Sequence, residues 1–86
     1  MRDAPWHVYI LECADSTLYT GVARDLTARV ARHNAGQGAR YTRGRGPVRL
    51  VYAEPATDRG AAQRREHAIK RLSAVAKRRL IAAGPG

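Results

Sequence analysis

The chain is short of acid, of cysteine and of long apolar runs, and each shortage removes a class of protein. Cys13 is the one cysteine in 86 residues, which excludes an internal disulfide and any multi-thiolate metal site within one chain. A buried, inert thiol is the reading left for it. No run of roughly 18 apolar residues occurs, and the opening Met1-Arg2-Asp3-Ala4-Pro5-Trp6 lacks the apolar stretch of a secretory signal. A soluble, cytoplasmic protein with no membrane span is expected. Seven Asp and Glu stand against sixteen Lys and Arg, a formal net charge of +9. In so small a domain that surplus points to a polyanion, nucleic acid before an anionic membrane surface, because each phosphate neutralised by Lys or Arg releases counterions. The length implies one domain over residues 1–86 with a thin core, since a chain this short buries only about 60 to 65% of the surface its unfolded form exposes. No internal repeat and no linker interrupts it.

Trp6 to Cys13, rich in aromatic and β-branched residues, reads as a strand, and Thr17 to Val22 as a second. Ala14-Asp15-Ser16 between them makes a short turn, so the two form an antiparallel hairpin. If Tyr9 and Tyr19 pair across it, or sit one step apart in register, their hydroxyls emerge on one face. Asp25 is placed to cap a helix in which Leu26, Val30 and His33 recur at amphipathic spacing up to the Asn34-Ala35-Gly36 stop signal. Gln37 to Pro47, rich in glycine and arginine and without apolar periodicity, reads as a basic loop. Val48 to Ala53 alternates and forms a third strand. Thr57 or Asp58 then caps a long helix to about Leu72, and Ser73 starts another, helical from Val75 to Ala83 and closed by Gly84-Pro85-Gly86. The expected fold is α+β, in the order ββαβαα, with a small three-stranded mixed sheet flanked by helices.

Arg29 and His33 lie four apart and stack along one helix face beside Leu26 and Val30. An arginine can clamp a phosphate through its planar fork and stabilise the charge that grows in phosphodiester attack. The plain alternative is a solvated arginine and a histidine favoured by the helix dipole. Glu66 is the only carboxylate between Arg59 and Gly86, a stretch that carries eight Lys and Arg. It either ligates a hard divalent cation with water and a substrate phosphate, a set suited to Mg²⁺, or supports the helix through Lys70 one turn on. Tyr9 and Tyr19 have their own alternative as half-buried strand residues with hydroxyls at the rim. Tyr41, flanked by arginines in Ala39-Arg40-Tyr41-Thr42-Arg43-Gly44-Arg45, offers a stacking platform for a base beside phosphate-binding charge, or else belongs to a solvated loop. Arg40, Tyr41, Arg43 and Arg45, with Lys70, are the expected nucleic-acid contacts. His7 and His67 have no partners at metal-ligand spacing and read as surface residues.

In order and spacing these residues resemble the GIY-YIG endonuclease family. The first triplet is His7-Val8-Tyr9, the second Tyr19-Thr20-Gly21, and Gly21 to Arg29 looks like the link into the catalytic helix. The resemblance covers nearly the whole chain, and Ala39 to Arg45 looks like the same segment of the short, stand-alone bacterial members of YhbQ type. It implies a DNA endonuclease that hydrolyses phosphodiester bonds with one divalent ion, Mg²⁺ or Mn²⁺, held through Glu66. By the same resemblance Arg29 is the catalytic arginine, Tyr9 and Tyr19 handle the attacking water, either being the base, and His33 helps one of them. A phenol, with a reference pKa near 10, must shift toward neutrality to act as base, so Arg29 or the metal is expected to lower it.

Two departures from the family pattern stand out. His7 occupies a place often held by glycine and Thr20 one held by isoleucine, neither of which removes a catalytic group. Several relatives also carry an active-site asparagine after the glutamate, whereas the only asparagine here is Asn34, so altered substrate positioning or slow catalysis is expected. With no residues left for a recognition domain, low sequence specificity is expected, and a basic loop bearing Tyr41 favours single-stranded or branched DNA over plain duplex. The alternative from another class is a non-catalytic DNA- or RNA-binding module on the same scaffold, and a third is a subunit that needs a partner protein. Phosphate binding alone has no use for a lone carboxylate in a basic helix, and that favours the nuclease. The oligomeric state is not legible.

Overall fold

Four consecutive apolar residues, Val8, Tyr9, Ile10 and Leu11, are all buried. Successive strand residues face opposite ways, so a run like this has to be covered on both sides, and the strand that carries it lies at the centre of the molecule. The computed structural model describes residues 5–84; Met1 to Ala4 and the Pro85-Gly86 end of the expected stop signal lie outside them. The elements are β1 (Trp6–Glu12), β2 (Leu18–Ala23), α1 (Leu26–Asn34), a single 3₁₀ turn (Arg40–Thr42), β3 (Arg49–Ala56), α2 (Arg59–Lys70) and α3 (Ala74–Ala83). The order ββαβαα is the one the sequence implies.

The strands line up as β2-β1-β3. Both neighbours of β1 run antiparallel to it, so the sheet is antiparallel throughout rather than mixed. The reason lies in α1 and the loop after it. The chain leaves β2 at the end where Ala23 faces His7 and returns to the hairpin end, where Ala14 N donates to Arg45 O at 2.7 Å. From there β3 can only run in the direction of β2. Asn34, at the end of α1, holds this return in place: its amide donates to Val48 O at 3.1 Å and accepts from Val48 N at 2.7 Å.

Each helix begins on a short polar side chain that accepts from the amide three residues on: Asp25 from Ala28 N at 3.0 Å, Asp58 from Ala61 N at 2.8 Å and Ser73 from Ala76 N at 3.1 Å. Such a cap contributes about 1 kcal/mol. One face of the sheet packs Val8, Ile10 and Tyr52 against Ala62 and Ile69 of α2, with Leu80 and Ile81 of α3 beside them. The other packs Tyr9, Leu11, Cys13, Ala23 and Val48 with Leu26 and Val30 of α1. Full burial of an aliphatic side chain such as Ile10 or Leu11 is worth about 1.5–3 kcal/mol. Cys13 is a free, buried thiol, as expected. His7, read as a surface residue, is half-buried with its Nδ1 enclosed and without a hydrogen-bond partner among the described residues. Arg65 Nε donates to Glu54 at 2.8 Å and the Tyr52 hydroxyl donates to the other oxygen of that carboxylate, fastening α2 to β3. No helix among the described residues is long and apolar enough to cross a membrane.

Candidate active site

The hairpin register sets the site. Tyr9 faces Gly21 and Leu11 faces Tyr19, so the two tyrosines are diagonal neighbours on one face, neither directly opposite nor one step apart. Their ring centroids are 6.3 Å apart at an interplanar angle of 51°. The Tyr9 phenol fills the space above Gly21: a Cβ there would stand 2.6 Å from its hydroxyl oxygen and 3.1 Å from Cε2 of Tyr19.

On the α1 side, Arg29 and His33 face this pair. His33 is only 3% exposed, which removes its reading as an ordinary helix-end histidine. Its Nε2 lies 3.1 Å from the Tyr9 hydroxyl, its Nδ1 lies 2.8 Å from Thr42 Oγ1, and its ring centroid is 5.2 Å from that of Tyr19. The Thr42 hydroxyl in turn donates to Ala39 O at 2.9 Å. Arg29 is half-buried and Nη1 donates to Val22 O at 3.2 Å, so the guanidinium is anchored to the hairpin rather than solvated. Together Tyr19, Arg29, Arg32 and His33 form one side of a cleft of about 330 Å³ whose other side is Gln37 to Ala39.

Electrostatics divide the labour. Burial, then the charges of Arg29 and Arg32, hold the His33 pKa below its ordinary value, so the imidazole is neutral. Burial, reinforced by Tyr19, pushes the Tyr9 phenol up to about 12, against an opposing pull from Arg29. This corrects the expectation that the surroundings lower the phenol: Arg29 acts in that direction but desolvation is larger. Glu66 adds to the same upward pressure, which places its negative charge within electrostatic reach of the Tyr9 oxygen. Its side chain is 15% exposed and pairs with Lys70 Nζ at 3.2 Å, so the helix-supporting contact does form. Among the described residues no cluster of three His, Cys, Asp or Glu occurs, leaving Glu66 as a lone carboxylate donor. That donor set fits an ion that keeps most of its waters and takes substrate phosphate oxygens as further ligands, as Mg²⁺ does.

The model of the GIY-YIG catalytic domain matches residues 5–79. The chain belongs to the GIY-YIG family. It is a nuclease-family domain, and nucleic acid is its substrate class. Similar proteins occur in archaea and bacteria. A UPF0213 protein of Natronomonas pharaonis is 54% identical over 79 residues, covering 92% of this chain and 93% of that one. A UPF0213 protein of Staphylococcus aureus is 51% identical over 74 residues, covering 86% and 90%. The solution NMR structure of a UPF0213 protein from Bacillus halodurans is 44% identical, covers 91% of this chain and 83% of its own, and superposes with a TM-score of 0.59. The designation these relatives share names no reaction.

Of the residues singled out in the sequence, this GIY-YIG domain brings Tyr9, Tyr19, Arg29 and His33 into one cluster and sets Glu66 within its electrostatic reach. Tyr41 joins from the loop: it is 42% exposed, stacks on Tyr19 at 6.1 Å and 28°, and carries the Arg45 guanidinium 4.5 Å above its ring. Arg45 also pairs with Asp15 at 2.5 Å, so this part of the loop is strapped to the hairpin turn. Arg40 and Arg43 are exposed, whereas Lys70 is engaged with Glu66. His67 is exposed, as expected. Sequence reasoning missed Thr42, 1% exposed, and Gly38, where a Cβ would stand 2.2 Å from His33 Nδ1. A short polar residue and a glycine inside a polar loop carry no local signal of burial. Arg32 and Gln37, which line the cleft, were missed as well.

Proposed function

We propose that this domain is a divalent-metal-dependent DNA endonuclease of low sequence specificity that prefers single-stranded or branched DNA. The observation that carries it is the buried contact between the Tyr9 hydroxyl and His33 Nε2 at 3.1 Å, directly behind His33, Tyr19 and Arg29 on the cleft wall. A surface that only bound phosphate would gain nothing from burying a phenol against a neutral imidazole.

In this reading a substrate phosphate enters the cleft between Arg29 and Arg32, and the two guanidiniums take up the charge that grows on its oxygens during attack. The water that attacks phosphorus loses a proton to the Tyr9 oxygen while the Tyr9 proton passes to His33 Nε2; as the new P–O bond forms, the bond to the leaving sugar oxygen breaks and that oxygen takes a proton from solvent water. The phenol thus never has to exist as a free anion, which its raised pKa forbids at neutral pH. Burial, with the charges of Arg29 and Arg32, keeps His33 neutral beforehand, and the arriving phosphate offsets the arginine charge when His33 takes the proton. Tyr19, half-buried at the cleft wall, orients the water. A divalent ion on Glu66, Mg²⁺ or Mn²⁺, would supply Lewis-acid stabilisation of the phosphate.

Strand preference follows from the Tyr41–Arg45 pair, in which the guanidinium lies 4.5 Å over the ring: an unpaired base would stack on the guanidinium plane or displace it from the ring, beside the phosphate-binding charge of the exposed Arg40 and Arg43. One observation favours a second reading, a non-catalytic DNA- or RNA-binding module: Glu66 already has a cationic partner in Lys70. The test compares wild type with Arg29→Ala and Glu66→Ala on labelled single-stranded and duplex DNA, with Mg²⁺, Mn²⁺ or chelator. Metal-dependent cutting abolished in both variants supports the nuclease. Salt-sensitive binding without cutting, unchanged in Glu66→Ala, supports the binding module.

A further inference from the structure

We propose that Thr42 is a positioning residue that selects the tautomer of His33, and so makes Nε2 the atom that receives the Tyr9 proton. Only the consequence for rate rests on the nuclease reading; the tautomer follows from the hydrogen-bond chain itself.

The Thr42 hydroxyl has one proton. The Ala39 carbonyl, 2.9 Å away, can only accept, so that proton points to it. Oγ1 then offers His33 only lone pairs, and the 2.8 Å contact to Nδ1 requires Nδ1 to carry the hydrogen. A neutral imidazole has a single N–H, so Nε2 is a bare acceptor and the Tyr9 hydroxyl donates to it. The chain is satisfied in one sense only. Reversing it would set the Thr42 and Ala39 oxygens lone pair against lone pair at 2.9 Å and leave Ala39 O only its bond from Thr42 N at 3.1 Å.

Thr42 and His33 are buried at 1% and 3% exposure, so bulk water does not substitute for the hydroxyl. Gly38 closes against the imidazole so tightly that even a methyl group there would overlap the ring, which holds the ring plane. The loop is anchored before any substrate arrives: Arg45 N donates to Thr42 O at 3.1 Å, Ala14 N donates to Arg45 O at 2.7 Å, and Asn34 clamps the far end at Val48. The loop therefore works on two sides. Tyr41 and Arg43, on either side of Thr42 in sequence, are exposed, and Thr42 faces inward to His33.

Nitrogen-15 NMR of the His33 ring in the 86-residue chain reads which nitrogen is protonated. Wild type is expected to show Nδ1–H with an unprotonated Nε2, and Thr42→Ser, which keeps the hydroxyl, the same. Thr42→Val, close in shape but without the hydroxyl, is expected to lose this preference and to lower kcat roughly 10²-fold with KM unchanged, Thr42→Ser restoring the rate. An Nε2–H tautomer in wild type overturns the proposal, as does a folded Thr42→Val with wild-type ring signals and wild-type rate. If Thr42→Val does not fold, the spectra of wild type and Thr42→Ser decide it. If wild type cuts no DNA, the spectra still decide the role of Thr42, and only the nuclease reading fails.

Discussion

The Tyr9 phenol occupies the space that a side chain at its cross-strand partner Gly21 would need, its oxygen lying 2.6 Å from where a Cβ would be. The last residue of the second triplet is thus a glycine for the sake of the last residue of the first. Gly21→Ala must displace Tyr9 from His33. We expect it to cost about 1–3 kcal/mol of stability, as overpacking of a tight site does, and to remove cleavage as fully as Tyr9→Phe. Denaturant unfolding and single-turnover kinetics check the two parts, and an active, fully stable Gly21→Ala would contradict this account of the hairpin.

The pH dependence of stability has a defined sign at Tyr9. Its folded pKa is raised to about 12 from an ordinary 10.0, so above pH 10 the unfolded chain loses the proton first while the folded protein keeps it. Stability should fall as pH rises from about 10 to 12, and Tyr9→Phe should flatten part of that fall. Urea titrations across this range in the two proteins measure it.

His33 behaves in the opposite sense. Its pKa is lowered, so the unfolded chain takes up a proton first as pH drops below the ordinary imidazole value of about 6.5, and stability is lost on the acid side. Cleavage, which needs neutral His33, should show an acid limb below that value. A limb centred above it would exclude His33 as the proton acceptor.

Asn34 holds both backbone groups of Val48, and Val48 is 4% exposed. Asn34→Ala leaves a buried amide and carbonyl without partners and should destabilise the fold by about 2 kcal/mol. Chemical denaturation checks it. The lone asparagine is thus a structural clamp for the start of β3.

Tyr41→Ala should weaken binding of single-stranded DNA by about 10-fold or more, in line with roughly 1–3 kcal/mol per stacked base, and leave binding of blunt duplex almost unchanged. Fluorescence anisotropy at matched salt separates the two. An equal loss on both would show that Tyr41 acts only by propping Tyr19.

Much of this protein was legible in the order of its residues. The helix starts at Asp25 and Ser73 were, and the third was narrowed to Thr57 or Asp58, because a capping side chain reaches only three residues along the chain; the structure selects Asp58. The hairpin was, because its turn lies between two apolar runs. The positive surplus, with its implied partner, is simple addition. Other features depend on contacts between residues far apart in sequence, which propensity does not encode. The direction of β3 was decided by where α1 and its loop return the chain. The diagonal placement of Tyr9 and Tyr19 was decided by register, since a slip of one residue turns every side chain to the other face. The raised pKa of Tyr9 came from burial, which reverses the shift its cationic neighbours alone would cause. Thr42 came to His33 from nine residues away, through a loop whose sequence looks merely solvated. The sequence by itself supplied the chemical groups; the tertiary structure decided which of them share a buried hydrogen-bond chain, because desolvation and hydrogen-bond direction exist only once the sheet, α1 and the loop are packed together.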